Sequence, residues 1–212
     1  MQFSLHRGSF SLTLFRFVPR LRGRQHSAFT DAFERHLIQI MGLLSFFTAK
    51  RDKPTIADMA VVIDLGAFTV GGSTIGKTPA ESEFFTKALQ TAGFFHSEKM
   101  GFEAGLKDGV FEYVFLTIDC FPGTFLLHGE VLPINEGTLE ADVRQFFGEP
   151  YWVDRSDGET ILFYEYASGT IELQFEFPEA KNLGFVTLSV DGVLSVEKQR
   201  EAYGVNKAWP PK

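Results

Sequence analysis

Thr170-Ile171-Glu172-Leu173-Gln174-Phe175-Glu176-Phe177 alternates without a break. Ile171, Leu173, Phe175 and Phe177 fall on one side, Glu172, Gln174 and Glu176 on the other. Successive side chains of a strand point to opposite faces, so this is a strand with one buried and one wet face. Working outward, Thr160 to Tyr166 and Phe185 to Val190 read as its neighbours, and Tyr151 to Val153 as a short strand before them. Asp157-Gly158 and Ser168-Gly169 supply hairpin-turn chemistry between them. An antiparallel sheet is therefore expected over the last third of the chain.

A helix precedes it. Thr138 stands at the cap position, Glu140 and Asp142 lie near the positive helix end, and Gly148-Glu149-Pro150 stops the helix after Phe147. Thr124 to Leu132 reads as the strand before it. The same order runs earlier in the chain. Val61 to Leu65 and Phe68 to Val70 are strands around Gly66, and Pro79 to Ala92 is a helix capped by Thr78 and stopped by Gly93. Phe94 to His96 and Val110 to Asp119 follow as strands. Gly76-Lys77-Thr78 and Glu136-Gly137-Thr138 each open a short helix that carries a Phe-Phe pair. The fold class expected is α+β: two similar helix-plus-antiparallel-sheet modules, about 56–121 and 122–192, in a body of residues 54–200.

Gly137-Thr138-Leu139-Glu140-Ala141-Asp142-Val143-Arg144-Gln145-Phe146-Phe147-Gly148-Glu149-Pro150, followed by antiparallel strands, resembles the helix-and-sheet module of β-lactamase-inhibitor-like proteins. The small outer-membrane assembly lipoproteins are similar to it too. The resemblance implies two modules in tandem over residues 56–190 and a binding role. It implies no particular partner and transfers no functional residue. The paired cysteines of exported relatives are absent, since Cys120 is the one cysteine.

Composition limits what the body does. Apolar residues make up 44%, and 24 residues are Phe, enough for a sizeable core. Residues 1–40 hold six Arg against Asp31 and Glu34, whereas the remainder carries fourteen Lys and Arg against twenty-five Asp and Glu. A body so acidic argues against nucleic acid, which needs clustered cations for its phosphates. It suits a basic surface on a protein partner, and solubility. A single cysteine excludes an internal disulfide framework and a Cys-rich zinc module, and fits a reducing, cytoplasmic setting. No cofactor and no metal are expected.

Residues 1–53 read as a basic, poorly ordered extension, with an amphipathic helix at 31–49 and a polar linker over Lys50 to Pro54. Met1 to Arg24 contains no acid. It reads as a transit-like targeting segment, as a basic arm for an anionic surface, or as sequence outside a folded unit that begins at Met41; the compositional shift near Met41 favours the last. No secretory signal is expected, and the densest apolar run, Ile38 to Phe47, is far too short to span a bilayer. Residues 201–212 read as a tail, mobile over Trp209-Pro210-Pro211-Lys212.

Four patterns bear on chemistry. Gly71-Gly72-Ser73-Thr74-Ile75-Gly76-Lys77-Thr78 matches the phosphate-loop spacing, with Gly71 and Gly76 as its glycines. Lys77 would reach the phosphates, Thr78 would ligate Mg²⁺, and Asp119 would end a following strand as a second acid. Pro79 and the hairpin-rich sequence after it argue for a glycine-rich hairpin instead. Cys120 and His128 flank Pro122-Gly123; a tight hairpin there puts them about 10 Å apart, too far for proton transfer. Cys120 then reads as a small core residue. His128 and Glu130 share a strand face but lack a third ligand at recognisable spacing.

The fourth pattern is the cluster of Glu149, Asp154, Asp157, Glu159, Glu165, Glu172 and Glu176, beside Tyr151, Trp152, Tyr164 and Tyr166. Two acids at a fixed separation would allow glycosidase chemistry. An aromatic patch ringed by acids, with Tyr151, Trp152, Tyr164, Tyr166, Glu172 and Glu176 as its members, suits a protein partner better. The expected function is non-catalytic protein binding of an inhibitor- or immunity-like kind. The alternative is a nucleotide-binding enzyme using residues 71–78.

Overall fold

The computed structural model describes residues 61–79 and 93–212. All of them belong to one compact unit, Lys53–Lys212. The helices expected over 31–49 and 79–92 fall, apart from Pro79, outside the described residues.

The fold is mixed α+β and mostly sheet. Twelve strands are described: β1 (Val62–Asp64), β2 (Thr69–Val70), β3 (Ser73–Thr74), β4 (Phe94–Ser97), β5 (Phe102–Lys107), β6 (Val110–Thr117), β7 (Thr124–Leu127), β8 (Glu130–Leu132), β9 (Trp152–Asp154), β10 (Thr160–Tyr166), β11 (Ile171–Phe177) and β12 (Phe185–Val190). Two α-helices accompany them among the described residues, α1 (Glu140–Phe147) and α2 (Glu197–Ala202). The smaller sheet has the order β3-β2-β1-β7-β8, and the larger has β4-β5-β6-β12-β11-β10-β9.

Every pair in the larger sheet is antiparallel. In the smaller sheet β1 and β7 run parallel, with Ile63 opposite Phe125. A parallel pair needs a long connection, and here some sixty residues separate the two strands. β6 and β7, expected to form a hairpin across Pro122-Gly123, do not pair. The chain turns after Thr117, whose carbonyl accepts from the amides of Cys120 and Phe121, and crosses from one sheet to the other. Phe121 anchors the crossing, with its ring 6.3 Å from Phe102 of the larger sheet and 5.3 Å from Phe125 of the smaller.

One core joins both sheets and α1. Ile63, Val70, Phe125 and Leu132 meet Phe102, Val114, Leu173, Phe175 and Leu188, with Val143 from α1. Burying each large side chain of this set contributes about 1.5–3 kcal/mol. Phe147 fixes α1 to the larger sheet through Tyr164 and Phe175, at ring distances of 5.7 and 5.0 Å. The N-cap of α1 is Leu139, whose amide donates to Asp142 Oδ2 at 2.8 Å. Thr138, expected as the cap, instead accepts the Asn135 amide on its hydroxyl at 2.9 Å and tightens the preceding turn. Gly148, at φ 75°, ends α1 with its amide on the Arg144 carbonyl.

Two further expectations change. Thr124 to Leu132 is two strands, because His128 and Gly129 (φ 53° and 87°) turn the chain between them. Phe102–Lys107 is a strand that alternation does not announce, since Ala104 and Gly105 interrupt its apolar run. Gly105 is required there: the Tyr113 ring lies across it, 2.3 Å from where a Cβ would stand.

Candidate functional site

Register sorts the candidate residues of the larger sheet onto two faces. Opposite residues share a face, so Trp152, Phe163, Gln174 and Thr187 form one row across β9, β10, β11 and β12. Glu165, Glu172 and Ser189 form the next row. Ile161, Glu176 and Phe185 form a third. Tyr164 pairs with Leu173 and Tyr166 with Ile171, on the opposite face, which carries the core.

The six residues expected to make one patch are therefore divided. Trp152, Glu172 and Glu176 lie on the outer face, and Tyr164 and Tyr166 on the inner. Tyr164 is 4% exposed, packs edge-on against Phe175 and donates its hydroxyl to the Gly148 carbonyl at 2.9 Å. It is a core residue and presents no docking surface.

The outer face of β9 to β12 is not wet, because the chain's own C-terminal segment crosses it. Glu172 is 0% exposed. Its carboxyl oxygens accept the amides of Val193 at 2.8 Å and Leu194 at 2.9 Å, and a third hydrogen bond from Gln174 Nε2. Gly192 is the residue that permits this approach, since a Cβ there would stand 2.3 Å from Glu172. Leu194 is fully buried beside it. The segment then bends into α2, where Arg200 donates to the carbonyls of Leu194 (2.7 Å) and Ser195 (2.9 Å).

Glu165 stands directly opposite Glu172. Both of its oxygens are buried, and the Glu172 carboxyl lies within hydrogen-bonding reach of them. Burial first, and the adjacent Glu172 carboxyl second, push its pKa far above the ordinary carboxylate range, with Arg200 opposing. Glu165 is thereby biased toward its protonated form.

Beyond α2 the chain returns over the aromatic end of the sheet. Trp152 donates its indole N–H to the Tyr203 carbonyl at 3.1 Å, and the Tyr203 ring meets Phe163 edge-on at 5.3 Å. Burial, then the charge of Asp154, raise the Tyr203 hydroxyl to about 12. The Tyr151 hydroxyl donates to the Ala208 carbonyl at 3.1 Å, and Lys207 Nζ to the Tyr151 carbonyl at 2.6 Å. Trp209 sets its edge against the Tyr151 ring, lies across Gly169, and carries the Arg200 guanidinium 4.8 Å from its ring centre. The residues expected to be a mobile tail thus have a defined seat.

The other candidate patterns resolve differently. In the 71–78 string, Gly71 and Gly72 form the turn between β2 and β3. The amides of Gly71, Ile75, Gly76 and Lys77 donate to the carbonyls of Val62, Phe68, Phe111 and Thr74. A phosphate cradle needs such amides aimed at the anion, and here they close the protein's own backbone. Asp119 is exposed after β6, and its side chain bonds Cys120. Cys120 is exposed rather than a core residue, and that bond, ahead of burial, raises its thiol pKa.

His128 is in a turn, so it does not share a strand face with Glu130. The two hairpin ends it joins are held by a residue the sequence did not single out. Asp64 Oδ1 accepts the amides of Gly66 (3.0 Å), Ala67 (2.9 Å) and His128 (3.0 Å), and Oδ2 that of Gly129 (2.8 Å). Burial alone would raise its pKa, but these backbone bonds hold it below the usual carboxylate value. The signal available for it was Asp64-Leu65-Gly66, an acid placed to accept the amides of its own turn. Among the described residues, no cluster of three or more His, Cys, Asp or Glu is arranged to hold a metal ion.

Comparisons with protein families, with curated proteins and with solved structures give no match to this chain. Among the described residues, no helix is long and apolar enough to cross a membrane.

Proposed function

We propose that this chain is a non-catalytic protein-binding domain of an inhibitor- or immunity-like kind, and that its partner is a protein engaged at the aromatic end of the larger sheet. One observation carries the reading: Tyr151 and Trp152 already hold a peptide, the chain's own C-terminal segment, through its backbone carbonyls. Contacts of that kind do not depend on the side chains of the bound segment and suit capture of an extended chain from outside. The acidic residues nearby, Asp154 and Glu176, favour a basic partner over nucleic acid. An exposed single thiol at Cys120 is in keeping with a reducing, cytoplasmic setting.

The tandem plan belongs to the same proposal. β1 to β3 followed by β4 to β6 form one half, and β7 and β8 followed by α1 and β9 to β12 form the other. What supports it is that each half sends its early strands to the smaller sheet and its later strands to the larger.

The test is affinity capture with the full chain, beside Tyr151→Ala and a charge reversal of Glu176. Partners retained by the wild type and lost from both variants, with unchanged circular dichroism, are the expected result. Identical retention by all three proteins sinks the reading.

A further inference from the structure

The C-terminal segment is attached in two unequal parts. From Gly192 to Arg200 it is an anchor: Leu194 is fully buried, Gly192 rests on Glu172, and two amides close on a buried carboxyl. Past Gly204, from Val205 to Lys212, it is a clasp. Gly204, Asn206, Lys207, Ala208, Pro210 and Lys212 are exposed, and only Trp209, Val205 and Pro211 are half-buried. Its seat consists of Tyr151, Gly169 and the Arg200 guanidinium.

We propose that the clasp, residues 205–212, is a built-in competitor occupying the partner site, and that the partner brings a basic, tryptophan-bearing peptide segment to the same seat. This rests on the protein-binding reading above. The chemistry of the partner is read from what the seat now holds. A lysine ammonium lies on the Tyr151 carbonyl and 5.5 Å from the ring centre of the same residue. A backbone carbonyl one residue on takes the Tyr151 hydroxyl, and an indole two residues on lies against Gly169, where no side chain intervenes. Lys-x-Trp is thus the pattern that the seat accepts, and Asp154 and Glu176 on the surrounding sheet select for positive charge.

The clasp yields because its contacts are matched and exceeded by a larger partner. A tethered segment acts at an effective concentration on the order of millimolar for a short linker. A free peptide of equal contacts competes weakly, whereas a partner with additional contacts displaces the clasp. Covering the seat lowers apparent affinity by the fraction of molecules that are open. Removing the clasp therefore raises affinity for a free Lys-x-Trp peptide without changing the contacts that the peptide makes.

The experiment uses a fluorescent peptide copying residues 204–212 as probe. It is titrated into the full chain, into a chain ending at Gly204, and into the full chain carrying Lys207→Glu with Trp209→Ala, which unlatches the clasp without shortening the protein. At least tenfold tighter binding to either altered protein is expected, with loss of binding when the peptide's own lysine and tryptophan are replaced. Equal affinity for all three proteins, or no binding to either altered form with melting preserved, overturns the proposal. A concentration-dependent dimer of the full chain that the truncation abolishes assigns the seat to a second copy and also overturns it. Partner capture separates the two claims. A partner held at Tyr151 equally well with and without the clasp leaves protein binding standing and removes self-competition. Peptide binding that is unmasked, with no partner captured, does the reverse.

Discussion

Two carboxylates in this molecule collect backbone amides, and they do so under opposite conditions. Asp64 sits at a partly exposed corner of the smaller sheet and gathers four amides from two turns. Glu172 lies at the centre of the larger sheet's outer face, fully buried, and gathers two amides from the C-terminal anchor. At the first, water remains available, so the amides outweigh desolvation and lower the pKa. At the second, the shift falls on the neighbour: burial first, and the Glu172 carboxyl second, raise the pKa of Glu165. The same hydrogen-bonding device serves as a surface clip in one place and as a buried joint in the other.

The largest effect should come from breaking the buried joint. Glu172→Ala leaves two amides and Gln174 without their acceptor inside the protein, and is expected to cost about 3 kcal/mol or more, measured by urea unfolding. Asp64→Ala removes more hydrogen bonds, yet the freed amides reach water, so about 2 kcal/mol is expected. A larger loss at Asp64 than at Glu172 would overturn the contrast between the two sites.

Acid and base separate them further. Asp64 has a lowered native pKa, so its contribution is present at neutral pH and disappears as pH falls through that value. Glu165 has a raised one, so the native state keeps a proton that the unfolded chain releases. Its contribution is complete below the ordinary glutamate value of 4.5 and is lost as pH rises above it. Glu165→Gln should therefore flatten the fall in unfolding midpoint between about pH 5 and pH 9 and leave the acid limb unchanged; an unaltered alkaline slope would show that Glu165 ionises freely. The smallest effect is expected from ligand. Saturating Mg-ATP should leave the melting temperature unmoved, since the amides of Gly71, Ile75, Gly76 and Lys77 are engaged within the fold. A shift that disappears in Lys77→Ala would reopen the nucleotide reading.

The strands around Thr170 to Phe177 were legible because alternation, flanking turns and antiparallel pairing all agree there. What alternation cannot supply is the parity of register. Tyr164 and Glu172 look like neighbours on one surface until the pairing of Tyr164 with Leu173 puts the tyrosine in the core. Nor does a period of two reveal what covers a face: the acids of β11 suggested water, but Glu172 is covered by Gly192 to Leu194, just beyond the neighbouring strand. β5 was missed because Gly105, which weakens a strand in isolation, is there to receive the Tyr113 ring. The crossing after Thr117 was missed because Pro-Gly suits a tight hairpin as well as a longer turn. The parallel pairing of β1 with β7 is a long-range contact to which no local signal points.

The position of β12 has a consequence for how the protein is made. Of the strands described it comes last along the chain, yet it lies between β6 and β11 in the middle of the seven-stranded sheet. Until it arrives, the meander ending at β6 and the one ending at β11 each present a bare edge, and exposed edges are where nascent chains pair with the wrong neighbour. Closure of this sheet thus waits for Phe185–Val190, and chains halted before residue 185 are the species most prone to aggregate.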